Sequence, residues 1–227
     1  MGPPPQLDGS RLLRAYRRLY VWATHRLYDQ LAWAYEAVAW MVSLGRWDAW
    51  RRQTLDFAAG ERVLEIGFGT GALLTGAAER GLAVWGADPS RAMHRVAERR
   101  LARHGVLVPR TMARSQALPF RDGTFDTVIS TFPAAYILDP RTLKEVGRLL
   151  RNGQGAGESG RFVITGIGFR TERPWVRRLL ALVFGGGLED SAAWYARFAE
   201  AAGFDVTILD SQSTTVRVPV LVLRKTS

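Results

Sequence analysis

The stretch VLEIGFGTGALL, Val63 to Leu74, restricts this chain more than any other. An apolar run of strand character ends at Ile66. It breaks into glycines at 67, 69 and 71, then resumes as small and apolar residues of helical character. A strand, a tight glycine turn and a helix opening above it form the first part of a β-α-β unit. The helix N-terminus there turns backbone N–H groups toward a nucleotide.

The rest of the chain extends that unit. Its 227 residues suffice for one large domain with a substantial core. Residues 1–9 are Pro-rich and expected to be disordered. Residues 10–58 read as a helical cap: Leu, Tyr, Trp and Val recur at spacings of three and four, and Gly45 divides the segment. From 59 to 227 strands and helices alternate. Strand RVLEI is followed by a helix near 71–80, strand LAVWGA, a helix within PSRAMHRVAERRLARH and a strand near 106–113. Then come FDTVIS, a helix capped by Asp139 with Pro140 in its first turn, and RFVITGI. Helical ERPWVRRLLALVF, a helix near 191–202 and strands FDVTIL and TTVRVPVLVLRK complete the series. Such alternation predicts an α/β, Rossmann-like, doubly wound sheet of seven mostly parallel strands. Only Asp210 to Ser213 join the final two strands, too short a link for a parallel crossover, so an antiparallel last strand is expected.

Composition removes several chemistries. There is no Cys, hence no disulfide, thiolate metal site or thiol nucleophile, and the carboxylates and histidines lack metal-ligand spacing. With 8 Trp, 10 Phe and 6 Tyr, the chain has abundant aromatic surface to bury or to offer a ligand. The net charge of +10 attracts nucleic acid, anionic lipid or acidic metabolites, or reflects a bias toward arginine codons, since Lys144 and Lys225 are the only lysines. The start MGPPPQLDGS has no apolar core, and the weakly charged stretch 31–45 is short and interrupted by Glu36. A cytoplasmic protein without a spanning helix is expected. Peripheral membrane contact through the basic, aromatic-rich segment Arg11 to Leu27 is compatible with this.

Spacing alone leaves the nucleotide open, because Gly67-Phe68-Gly69-Thr70-Gly71-Ala72 also approximates a dinucleotide fingerprint. Glu65 decides against a diphosphate: a carboxylate at the strand end repels it, and suits a ligand carrying an ammonium group. S-adenosylmethionine has that group and a sulfonium besides. Asp88 closes the next strand about twenty residues after Gly67, where a carboxylate accepts both hydroxyls of an unphosphorylated ribose. It serves NAD and S-adenosylmethionine equally, and also reads as a helix N-cap.

VLEIGFGTGALL, GADPSRAM, ALPFRDGTFDTVIS and the short-linked terminal strands together resemble the class I S-adenosylmethionine-dependent methyltransferases. The resemblance is to the branch with the ubiquinone/menaquinone methyltransferases and many small-molecule and lipid methyltransferases. It implies that Glu65 holds the methionine ammonium, that Gly67, Phe68, Gly69 and Gly71 form the cofactor turn, and that Asp88 and Pro89 lie at the ribose. It further implies that Met93 packs on the adenine and that Ser115, Gln116 and Ala117 form the loop at the adenine edge, with Ser130 ending the neighbouring strand. Arg114 stands where the family often has Asp, which leaves adenine recognition to backbone atoms or Gln116. The segment 151–161 is longer than the family's compact turn.

The acceptor should lie beyond FDTVIS, at Thr131-Phe132-Pro133-Ala134-Ala135-Tyr136. This is not the Asn/Asp/Ser-Pro-Pro-Tyr/Phe motif of base-methylating enzymes, and the His pair frequent in the quinone branch is absent. None of His25, His94 and His104 ends a strand, and Arg91, Arg95, Arg99 and Arg103 read as a solvated helix face. Tyr136 is the candidate for orienting or deprotonating the acceptor. Tyr28, Tyr35, Phe132 and Trp175 are candidates for its pocket; YDQLAWAYE resembles the Tyr-Asp-x-x-Ala-x-x-Tyr stretch of the branch. The leading expectation is methyl transfer to a small apolar or lipid-like acceptor. The alternatives are an RNA methyltransferase using the Arg-rich surface, a nicotinamide oxidoreductase and a non-catalytic cofactor-binding relative.

Overall fold

The computed structural model describes residues 47–153, 159–168, 171, 191–210 and 217–226. The start at 1–9, the cap over 10–46, the helix expected from 172 to 184, and Tyr28, Tyr35 and Trp175 lie outside the described residues.

Seven strands form one sheet: β1 (Arg62–Ile66), β2 (Ala83–Ala87), β3 (Arg110–Thr111), β4 (Thr127–Thr131), β5 (Arg161–Thr165), β6 (Phe204–Asp210) and β7 (Pro219–Lys225). Their order is β3-β2-β1-β4-β5-β7-β6. β7 runs antiparallel between β5 and β6, and the other pairings are parallel. The expected sheet and its reversed last strand are thus both present. Among the described residues the α-helices are α1 (Trp47–Thr54), α2 (Ala72–Glu79), α3 (Arg91–Arg103), α4 (Pro140–Leu149) and α5 (Ser191–Glu200). No helix among the described residues is long and apolar enough to cross a membrane.

The central strands are near-continuous apolar runs because both faces are covered. Leu64, Ile66, Val128, Phe162 and Ile164 share one core with Leu143 and Val146 of α4 and Tyr195 of α5. Val63, Ile129 and Val163 share the other with Leu73 and Leu74 of α2 and Ala97 and Leu101 of α3. Each fully buried aliphatic side chain contributes roughly 1.5–3 kcal/mol before entropy is counted.

Local chemistry sets the helix starts. Asp139 accepts from the Arg141 amide at 3.0 Å with Pro140 in the first turn of α4, and Arg141 holds its carboxyl well below the usual range. Ser90, and not Asp88, caps α3, its hydroxyl accepting from the Met93 amide at 3.4 Å. β3 is shorter than the 106–113 expected. Pro109 has no N–H for the ladder, and the chain pairs at the sheet edge only through the Gly86 amide to the Pro109 carbonyl and residues 110–111.

Candidate functional site

In the strand order, the crevice between β1 and β4 is the topological switch point, where open α/β sheets bind ligands at their carboxyl ends. The glycine turn follows β1 at that place. Gly67 adopts φ +68° and Gly71 φ +77°, left-handed conformations that glycine enters without strain. A β-carbon at Gly67 would overlap the Tyr136 hydroxyl, and one at Gly71 would stand 2.8 Å from the Ala97 β-carbon. At Gly69 the space is open. The turn therefore packs tightly at both ends and presents an uncluttered backbone in the middle.

Asp88, only 7% exposed, fastens this turn to the next strand. Its Oδ2 accepts from the Gly69 amide at 3.0 Å and its Oδ1 from the Ser90 amide at 2.8 Å. The carboxylate is thereby oriented at the rim of the turn.

Glu65 is 1% exposed. Thr131 donates weakly to its Oε1 at 3.5 Å, while Oε2 is buried without a hydrogen-bond partner. Burial pushes its carboxyl up to about 8; the Arg51 guanidinium opposes this most strongly, Asp88 adds to it, and Thr131 and the Leu74 amide draw it down again. A cation arriving at Oε2 would satisfy the orphaned oxygen and stabilise the charge. Thr70, within the turn, also has a buried hydroxyl without a partner. Two orphaned polar atoms at an open glycine turn fit a ligand with an ammonium group and further polar atoms.

The sequence-predicted residues separate into three groups. Glu65, Gly67, Gly69, Gly71, Asp88 and Ser130 converge on the crevice. Ser115 and Gln116 are tied to α4: Ser115 Oγ lies 3.1 Å from Thr142 Oγ1, and Gln116 donates to Asp139 at 3.3 Å. Ala117 and Pro89 are exposed, and Met93 is buried in the first turn of α3. Phe68 turns its ring into the core, edge-on to His94 with centroids 4.8 Å apart, leaving only its main chain to the turn.

Beyond β4 the chain bends sharply. Phe132 has φ +48°, unusual for a bulky residue, and its ring occupies the space a β-carbon on Gly166 would need. Trp50 of α1 stands over it, ring centroids 6.4 Å apart. Tyr136 turns back to the crevice, its hydroxyl 2.7 Å from Ser130 Oγ and donating to the Ile66 carbonyl at 3.1 Å. The hydroxyl has neither a carboxylate nor an imidazole among these partners. His94 Nε2 is 3.0 Å from the Asp88 carbonyl, and His104 pairs with Glu79 away from the crevice.

Arg51 and Thr70 were not anticipated, and Thr131, expected in the acceptor segment, reaches Glu65 instead. Thr70 carried a local signal, as the one polar residue between the glycines. Arg51 is one arginine in an Arg-rich helix, and only its packing distinguishes it.

A methyltransferase domain model matches residues 63–153. The demethylmenaquinone methyltransferase of Thermobifida fusca is 34% identical over 178 residues, covering 75% of this chain and 70% of that protein. That of Symbiobacterium thermophilum is 34% identical over 146 residues, covering 60% and 56%. Against this and several other curated relatives, the chain spans little more than half their length. Among solved structures, a geranyl diphosphate C-methyltransferase from Streptomyces coelicolor matches with TM-score 0.58 at 19% identity over 78% of each chain. A possible histamine N-methyltransferase from Thermotoga maritima matches with TM-score 0.58 at 19% identity, covering 89% and 99%. At such identities the likeness is one of fold. The chain belongs to the class I S-adenosylmethionine-dependent methyltransferases, in the branch of the demethylmenaquinone methyltransferases. The cofactor of that class is S-adenosylmethionine.

Proposed function

We propose that the protein catalyses methyl transfer from S-adenosylmethionine to a small apolar or lipid-like acceptor. The observation that carries this reading is Glu65, whose buried and unpartnered Oε2 beside the glycine turn matches a cationic amino-acid end. Glu65 takes the ammonium, Gly67, Gly69 and Gly71 permit close backbone approach, and Asp88 receives the ribose hydroxyls. Met93 and the loop Ser115 to Ala117 frame the adenine, with Asp88 and Pro89 at the rim.

When bound, the cofactor supplies a methyl group activated by the sulfonium. The protein's own part is binding, orientation and exclusion of water. Proximity and alignment supply most of the rate. Tyr136 is a positioning residue in this reading: its hydroxyl is committed to the Ile66 carbonyl and Ser130. An acceptor already ionised, or one that loses its proton to water, fits such a site.

Two features support the apolar acceptor. The curated relatives are named for demethylmenaquinone, and Phe132, Tyr136 and half-exposed Leu138 follow β4 at the crevice.

The test is incubation with methyl-labelled S-adenosylmethionine and, separately, a bacterial lipid extract and total RNA. The reading expects label in the organic phase. Label only in RNA, or none at all from a protein that binds the cofactor, overturns it.

A further inference from the structure

One buried hydroxyl joins the loop Ser115 to Ala117 to the bend after β4. Thr142, in the first turn of α4, is completely buried, and Ser115 is 8% exposed. The Thr142 hydroxyl donates to the Tyr136 carbonyl at 2.8 Å, which uses its single proton. Ser115 Oγ lies 3.1 Å from the same oxygen and must therefore be the donor in that contact. The polarity runs one way, from Ser115 to Thr142 and from Thr142 to Tyr136. Tyr136 carries it further, its hydroxyl donating at 3.1 Å to the carbonyl of Ile66, the residue before Gly67. Ser115, Thr142, Tyr136 and Ile66 thus form one path through the protein, from the loop to the end of β1.

α4 holds the same loop at two further points. Gln116 donates to Asp139 at 3.3 Å, and the Leu118 amide donates to Glu145 at 2.8 Å. Both carboxylates also pair with arginines of their own helix, Asp139 with Arg141 at 2.7 Å and Glu145 with Arg148 at 2.7 Å. Those contacts fasten the loop to α4. Of the three, the Thr142 contact alone continues to the crevice. A buried hydroxyl costs more than the methyl of an isosteric valine unless its hydrogen bonds are made. At Thr142 both are made, one to each side of the site.

Resting on the cofactor reading above, in which Ser115 lies at the adenine edge and Tyr136 at the reactive end, we infer that Thr142 is a positioning residue that couples the two. Its hydroxyl sets the loop and the bend against one another, so that loosening either loosens the hold of the other on the cofactor. Completely buried, Thr142 itself reaches no ligand and acts through Ser115 and the Tyr136 main chain.

Calorimetric titration of the full chain with S-adenosylmethionine, on a double-mutant cycle, tests this. Ser115→Ala and Tyr136→Phe should each weaken binding by about threefold to tenfold. Together they should weaken it about threefold less than the product of the two effects, because one loosened end already releases the other. In a Thr142→Val background the two effects should simply multiply, whereas Thr142→Ser, which keeps the hydroxyl, should retain the coupling. A merely structural role would lower the melting temperature of Thr142→Val and leave the coupling in place. Effects that multiply in the unaltered background overturn the role of Thr142, and this result stands even if the valine variant does not fold. Coupling retained in full by a folded Thr142→Val overturns it as well. Failure of the unaltered protein to bind S-adenosylmethionine overturns the cofactor reading instead.

Discussion

The hydroxyl of Tyr136 fills the space that a side chain at Gly67 would need, and donates to the Ile66 carbonyl just before that glycine at 3.1 Å. The end of β1 and the bend after β4 are thus locked together at the place where the cofactor's reactive end would lie. Gly67→Ala combines a left-handed φ with this collision and should destabilise by about 2–4 kcal/mol. Thermal melting would show a fall of roughly 5–15 °C, and adding Tyr136→Ala should recover only the steric part.

Removing the hydroxyl alone asks a different question. Tyr136→Phe loses hydrogen bonds to Ser130 and Ile66, worth about 1 kcal/mol of stability. As a positioning residue, Tyr136 should cost less than about tenfold in kcat when converted to Phe, with KM for the acceptor affected at least as much. A loss of about a thousandfold, with the fold intact, would make it the proton-transfer group.

Glu65 makes the empty protein sensitive to pH. Its carboxyl titrates near 4.5 when the chain is unfolded and is pushed to about 8 in the folded state. Between those values the native state holds the extra proton. The contribution is therefore complete below the lower value and is lost as pH rises through the upper one, by about 3–5 kcal/mol in all. Urea unfolding at pH 5 and pH 8.5 should show this decline in the unaltered protein and its near absence in Glu65→Gln. Saturating S-adenosylmethionine should reduce it, because the ammonium stabilises the ionised carboxylate.

Phe132 stores strain beside the site. Gly166→Ala would drive a β-carbon into its ring on a backbone at φ +90°, costing about 2–4 kcal/mol. The disturbance should reach Trp50 and be readable as a change in tryptophan fluorescence.

What was legible in the sequence was local. Glycines at alternate positions, a carboxylate closing each of two strands and an Asp-Pro helix start act through the backbone within a few residues, so their spacing placed them. The short link before the last strand forced its reversal by reach alone. What escaped depends on packing across the sheet. Arg51 is indistinguishable in sequence from Arg52, and only their burial in the fold separates them, Arg51 partly covered and Arg52 exposed. Phe68 lies among cofactor residues by position, but the bare backbone of Gly86 opposite receives its ring. β3 ran long in expectation because Val106 and Val108 have strand character, although they serve to return the chain from α3.

The most direct measurement is calorimetric titration with S-adenosylmethionine of the unaltered protein and of Asp88→Ala, each checked for folding. Asp88 fixes the Gly69 amide and, in the proposed function, receives the ribose hydroxyls, so both the turn and that contact are tested through it. The account predicts micromolar binding, about −8 kcal/mol, weakened at least about tenfold by the substitution. No binding, or binding that Asp88→Ala leaves unchanged, would contradict it.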